Sequence, residues 1–136
     1  MVELTIDSSV IVASLLKQEK DHLKALRLWK EVIAGTSLAI MPYTVLVEVV
    51  AAVRRRTGLK DLAQKVKNEL LSMETVSFVI LDPDSASYAS DIAVETGVRG
   101  MDAVVIQTAK EYDTVLVTLD TELIEKSHSL VKVRSV

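Results

Sequence analysis

Apolar residues in this chain fall into short dense runs, set between longer stretches where they recur every three or four positions. The first run, Val2–Ile6, reads as a strand that ends at Asp7. Asp7-Ser8-Ser9 offers polar helix starts, and Val10–Leu16 continues as a buried helix. After the charged loop Lys17–Asp21, Leu23, Leu26, Trp29, Val32 and Ile33 recur at helical spacing. They predict a helix over His22–Ala34, which Gly35 suits at its C-terminal end. Leu38–Met41 is a second strand, stopped by Pro42. Thr44 is placed to cap a third helix running to Arg56 and closed by Gly58. A fourth helix covers Leu59–Met73 and a third strand Phe78–Leu81. Pro83 and Asp84 open a helix to Thr96, and Gly97-Val98-Arg99-Gly100 makes a tight turn. Helix Met101–Tyr112, strand Val115–Thr118, short helix Thr121–Lys126 and strand Leu130–Val133 complete the series.

Strands separated by helices, each strand short and rich in Val and Ile, predict an α/β fold. Such strands are buried on both faces, so the sheet is expected to be parallel and covered by helices. No repeat or low-complexity tract interrupts the pattern, and one domain is expected over residues 1–136.

Composition narrows the chemistry. The chain is 49% apolar and 26% charged, which suits a packed core and argues against disorder. It has no cysteine, so disulfides, zinc–thiolate sites and thiol nucleophiles are absent together. That suits a cytoplasmic location, as does the lack of a basic leader before Val2–Ile6. No apolar run approaches the roughly 20 residues that span a bilayer. The net charge of −3 argues against a protein that coats DNA. It leaves room for a nuclease, because two bound divalent cations would reverse its sign.

Four acids stand at the ends or centres of apolar elements. Asp7 follows the first strand and Asp120 follows the fourth, and ligands of open parallel sheets gather at those carboxyl ends. Each could equally cap a helix or open a turn. Glu48 lies in Val45-Leu46-Val47-Glu48-Val49-Val50-Ala51-Ala52-Val53, a helix apolar on nearly every side. It either marks the one solvated stripe or lines a polar cavity, because an unpaired buried carboxylate is costly. Asp102 opens a second apolar helix, where an acid also favours the positive helix end.

Two carboxylates about 5 Å apart repel by roughly 3 kcal/mol at an effective dielectric near 20. Four gathered acids therefore need a counter-charge, and an all-oxygen site selects Mg²⁺, with Mn²⁺ as a substitute. Such an ion activates water for attack on a phosphodiester without a histidine base. His22 and His128 lie outside all four acidic segments and read as surface residues. No Gly-rich phosphate loop and no G-x-S-x-G elbow is present.

Four segments together resemble the PIN domain, and most closely its small VapC-type toxins: Ile6-Asp7-Ser8-Ser9, Glu48 in the third helix, Gly100-Met101-Asp102-Ala103 and Thr118-Leu119-Asp120. They occur in the family's order across nearly the whole chain. The resemblance implies a three-layer α/β/α sandwich with a central, mostly parallel five-stranded sheet and the first strand at its centre. It implies Mg²⁺-dependent endoribonuclease activity that leaves a 5′-phosphate and a 3′-hydroxyl. Asp7, Glu48, Asp102 and Asp120 would carry or position the metal, and Ser9 and Thr118 would support the carboxylates. Glu122 could share or replace the role of Asp120. A homodimer and a cognate antitoxin whose tail fills the groove are also implied.

Arg54, Arg55, Arg56 and Lys60, at the end of the helix carrying Glu48, and Arg99, before Asp102, are candidate RNA contacts. The Arg54–Arg56 run reads equally as a solvated helix end. Two other readings keep the fold: a housekeeping nuclease that trims ribosomal or messenger RNA, and a module that binds RNA or protein without cutting. The apolar positions Leu26, Trp29, Leu62, Val66 and Leu70 suit either the core or a dimer interface.

Overall fold

The computed structural model describes residues 2–136. The elements run β1 (Val2–Ile6), α1 (Ser8–Leu15), α2 (His22–Ala34), β2 (Ser37–Pro42), α3 (Tyr43–Thr57), α4 (Lys60–Ser72) and β3 (Val76–Val79). They continue through α5 (Pro83–Thr96), α6 (Gly100–Tyr112), β4 (Val115–Val117), α7 (Thr121–Ser127) and β5 (Val133–Arg134). The five strands pair in the order β3-β2-β1-β4-β5, and every pairing is parallel.

β1 is central, as expected. Leu4, Thr5 and Ile6 are completely buried although they point alternately to opposite faces, so helices cover both sides of the strand. The one polar member is satisfied: the Thr5 hydroxyl donates to the Ile40 carbonyl at 2.7 Å and shares a hydrogen bond with Thr114. The chain first builds outward from β1 to β2 and β3, then returns to the other side of β1 for β4 and β5. Right-handed crossovers put the β1–β2–β3 connections on one face and the returning ones on the other. Accordingly α1 packs on α2 and α3, and α3 on α4, while α5 pairs with α6. The winding reverses between β1 and β4, which opens a crevice at their carboxyl ends.

The apolar periodicity of α2 and α4 belongs only in part to the core, since Leu23, Ile33 and Leu71 are exposed. Trp29, Val66 and Leu70 are buried within the chain, and Leu26 and Leu62 are partly buried. Gly35 ends α2 in the left-handed region at φ 81°, with its N–H turned back to Glu31 and Val32, where a side chain would be strained.

Five details differ from expectation. β3 begins two residues earlier than the Val/Ile pattern suggests, and Ile80 and Leu81 are exposed. Its partner sets the limit: β2 ends at Pro42, which faces Val79, so the ladder runs out there. β5 begins at Val133, because Leu130 and Val131 both donate backbone hydrogen bonds to the Ser127 carbonyl and belong to the turn after α7. α3 is not buried on nearly every side, since Tyr43 and Val47 face outward. Thr44 does not cap it either, since Pro42 holds that position and Thr44 lies inside the helix. His128 is exposed as expected, but His22 is half-buried and its ring bonds the Ala13 carbonyl at 2.7 Å.

Ile6 is sealed at the centre of the sheet, so Ile6→Ala should cost about 2–5 kcal/mol in urea denaturation. It should do so with little change in the denaturant slope.

Candidate active site

The backbone of Asp7 is pinned by the sheet. Its N–H donates to the Val117 carbonyl at 2.9 Å, carrying the β1–β4 ladder one residue past Ile6. The side chain then emerges at the mouth of the crevice, only 6% exposed. One carboxylate oxygen, Oδ2, accepts from the Ser9 hydroxyl at 2.8 Å and the Thr118 hydroxyl at 3.0 Å. Those hydroxyls accept in turn, Ser9 from the Leu119 N–H at 3.4 Å and Thr118 from the Asp120 N–H at 3.1 Å. The first strand is thereby tied to the loop after the fourth. Asp120 caps α7, with Oδ1 accepting from the N–H groups of Glu122 and Leu123 at 3.0 and 3.3 Å.

Glu48 reaches the same mouth from α3, and Asp102 from the first turn of α6. The four acids line one open cleft of about 680 Å³. Its far wall is the small-residue face of α5, Ala86, Ala89, Ser90 and Ala93, with Leu81 and Met101 at the edge. Sequence reasoning missed that wall, although small residues at positions 86, 89 and 93 share a helical face that bulky side chains would have closed. Ser8 and Thr44 also line the cleft, although the sequence marked them only as helix starts.

The acids feel one another. Burial holds the Glu48 carboxyl above its ordinary range, helped by the charges of Asp7 and Asp102. Burial likewise raises Asp102, with Asp7 and Asp120 adding to it. Arg99 opposes both shifts, and among the described residues it is the only cation that lines the cleft.

Arg54, Arg55, Arg56 and Lys60 are exposed and do not line it, and Arg56 pairs with Glu19 instead. Glu122 turns to Lys126 at 2.8 Å, which holds its carboxyl below the usual range, so Asp120 rather than Glu122 faces the cleft.

Among the described residues, no three acidic or histidine side chains are gathered closely enough to hold a metal ion unaided. The donor set nonetheless suits a hard dication. It is all oxygen, it is shared among four segments of the chain, and it contains no histidine.

A family model described as PIN domain matches residues 4–128. The chain belongs to the PIN domain family. No curated protein sequence matches it significantly. Several solved structures share its fold. VapC20 of Mycobacterium tuberculosis, described as a sarcin-ricin loop cleaving toxin, is similar with a TM-score of 0.79 at 20% identity, over 96% of this chain and 98% of that one. VapBC2 from Rickettsia felis, bound to a DNA fragment from its promoter, gives 0.70 at 15% identity, over 100% and 99% of the two chains. VapBC from Salmonella typhimurium, also bound to DNA, gives 0.67 at 15% identity, over 99% and 98%. At these identities the likeness is one of fold.

The raised Glu48 carboxyl has a consequence for stability. The folded state binds this proton more tightly than the unfolded chain does, so stability falls as pH rises through the carboxylate range. The penalty is absent below about pH 4 and fully present at neutral pH. Glu48→Gln should therefore stabilise the metal-free protein at pH 7, by a small amount because solvent screens a half-exposed group. The gain should vanish in melts at pH 3.5.

Proposed function

We propose that this PIN domain is a divalent-cation-dependent endoribonuclease and the toxin of a toxin–antitoxin pair. One observation carries the reading: Asp7, Glu48, Asp102 and Asp120 arrive from four separate segments of the chain to line one cleft at the carboxyl edge of the sheet. Packing does not demand such a convergence, and electrostatics oppose it in the absence of a cation.

The four carboxylates would hold Mg²⁺, or Mn²⁺ in its place. A bound dication lowers the pKa of a coordinated water and neutralises charge on the phosphodiester being cut. The chain's own groups supply position. Ser9 and Thr118 fix one Asp7 oxygen and leave the other for the cleft. The α7 amides orient Asp120. Arg99 offers a fork-shaped donor to a non-bridging phosphate oxygen at the cleft rim. Cleavage would leave a 5′-phosphate and a 3′-hydroxyl.

RNA is favoured as substrate because VapC20, of the same fold, is described as cleaving the sarcin-ricin loop. An antitoxin is favoured because similar chains come from VapBC assemblies. A homodimer and a cytoplasmic location belong to the same proposal. Among the described residues no helix is long and apolar enough to cross a membrane.

The decisive assay follows cleavage of a structured RNA with Mg²⁺ or Mn²⁺, against EDTA and against Asp7→Asn. Chelation should abolish cutting, and Asp7→Asn should reduce it by about 100-fold or more. Activity that persists under both conditions rejects the cation mechanism.

The basic residues divide by position. Arg99→Ala should lower kcat/KM about tenfold, the loss expected for one charge-assisted hydrogen bond. Arg54→Ala, outside the cleft, should change it far less and mainly at low salt. Equal losses for the two would move the RNA path onto the end of α3.

A further inference from the structure

One polar atom of the cleft has no partner. Thr44 lines the cleft, and among the described residues its hydroxyl is the one buried side-chain polar atom without a hydrogen bond. The isolation has a local cause. Other threonines in these helices bond back to the carbonyl four residues earlier: Thr57 to Val53, Thr96 to Ile92 and Thr108 to Val104. Thr44 is the second residue of α3, so the corresponding carbonyl is that of Ile40 in β2. That carbonyl already accepts from the Thr5 hydroxyl. Thr44 does not cap the helix either. A buried hydroxyl left unpaired costs free energy, and native structures seldom keep one without a use.

The same cleft holds acceptors that lack donors. Asp7 takes two hydroxyl hydrogen bonds and Asp120 takes two from amides. Glu48 and Asp102 line the same space without such support from any described residue. Glu48 lies four residues after Thr44, so both project from one face of α3. Helical side chains lean back toward the N-terminus, which brings the Glu48 carboxylate over the turn that carries Thr44.

We propose that Thr44 is the positioning residue of Glu48, its hydroxyl donating to the Glu48 carboxylate when a divalent cation draws that group into the cleft. This would be the counterpart of the support Ser9 and Thr118 give Asp7. The inference rests on the cation-dependent reading of the cleft. Hydroxyl partners of this kind orient a ligating oxygen and sharpen its affinity for the ion.

The test needs no RNA. Full-length wild type, Thr44→Val and Thr44→Ser are melted in EDTA and across a Mn²⁺ titration. Valine keeps the shape and removes the hydroxyl, so Thr44→Val should melt at or above wild type in EDTA. Its half-saturating Mn²⁺ concentration should rise about tenfold, and Thr44→Ser should restore it to within about twofold of wild type. In a Glu48→Gln background, Thr44→Val should add nothing, as expected of two residues acting through one contact. If Thr44→Val melts too low to titrate, Thr44→Ala against Thr44→Ser carries the same comparison. An unchanged Mn²⁺ response in the hydroxyl-free variant, beside a responsive wild type, overturns the role of Thr44 alone. A wild type that Mn²⁺ does not shift overturns the cation reading and this inference with it.

Discussion

The cleft depends on the pairing of β1 with β4. These strands are far apart in the chain, yet the Asp7 N–H closes on the Val117 carbonyl at 2.9 Å. The hydroxyl network from Asp7 through Ser9 and Thr118 then ties the two loops that leave them. That contact fixes where the sheet reverses its winding, and so where its carboxyl edge opens. Residues on α3, α6 and α7 acquire a common destination because their helices are anchored to this sheet.

Holding carboxylates there works against folding. Desolvation and mutual repulsion raise the pKa values of Glu48 and Asp102, and Arg99 offsets only part of the charge. The arrangement persists because the elements that carry the acids are held by apolar burial elsewhere. Ile6, Val49, Val105 and Leu116 are fully enclosed, and they orient β1, α3, α6 and β4 whatever the cleft contains. A site built on a rigid apolar frame can keep an unfavourable charge pattern ready for a cation, where a loop-borne site would relax away from it.

Support within the cleft is uneven, and the unevenness follows the backbone. Asp7 and Asp120 sit where strands end, beside free amides and short polar side chains, so partners are at hand. Glu48 sits mid-helix, where the backbone N–H groups are already committed to helical hydrogen bonds. Its support must come from another side chain, and the same-face position of Thr44 makes that hydroxyl the natural source.

Much of this was readable along the chain. Strand-length Val and Ile runs, helical periodicity at Leu26, Trp29 and Val32, and glycines at helix ends specify local conformation and burial, because those depend on near neighbours. The four acids stood out for the same reason, as charges in apolar segments. Local pattern misplaced β3 and β5, because pairing register depends on the partner strand, and it assigned Thr44 a cap that Pro42 already occupied. It could not choose between Asp120 and Glu122, or separate Arg99 from Arg54, Arg55, Arg56 and Lys60. Those choices turn on which side chains share a space, and only the packing of distant elements around β1 and β4 creates that space.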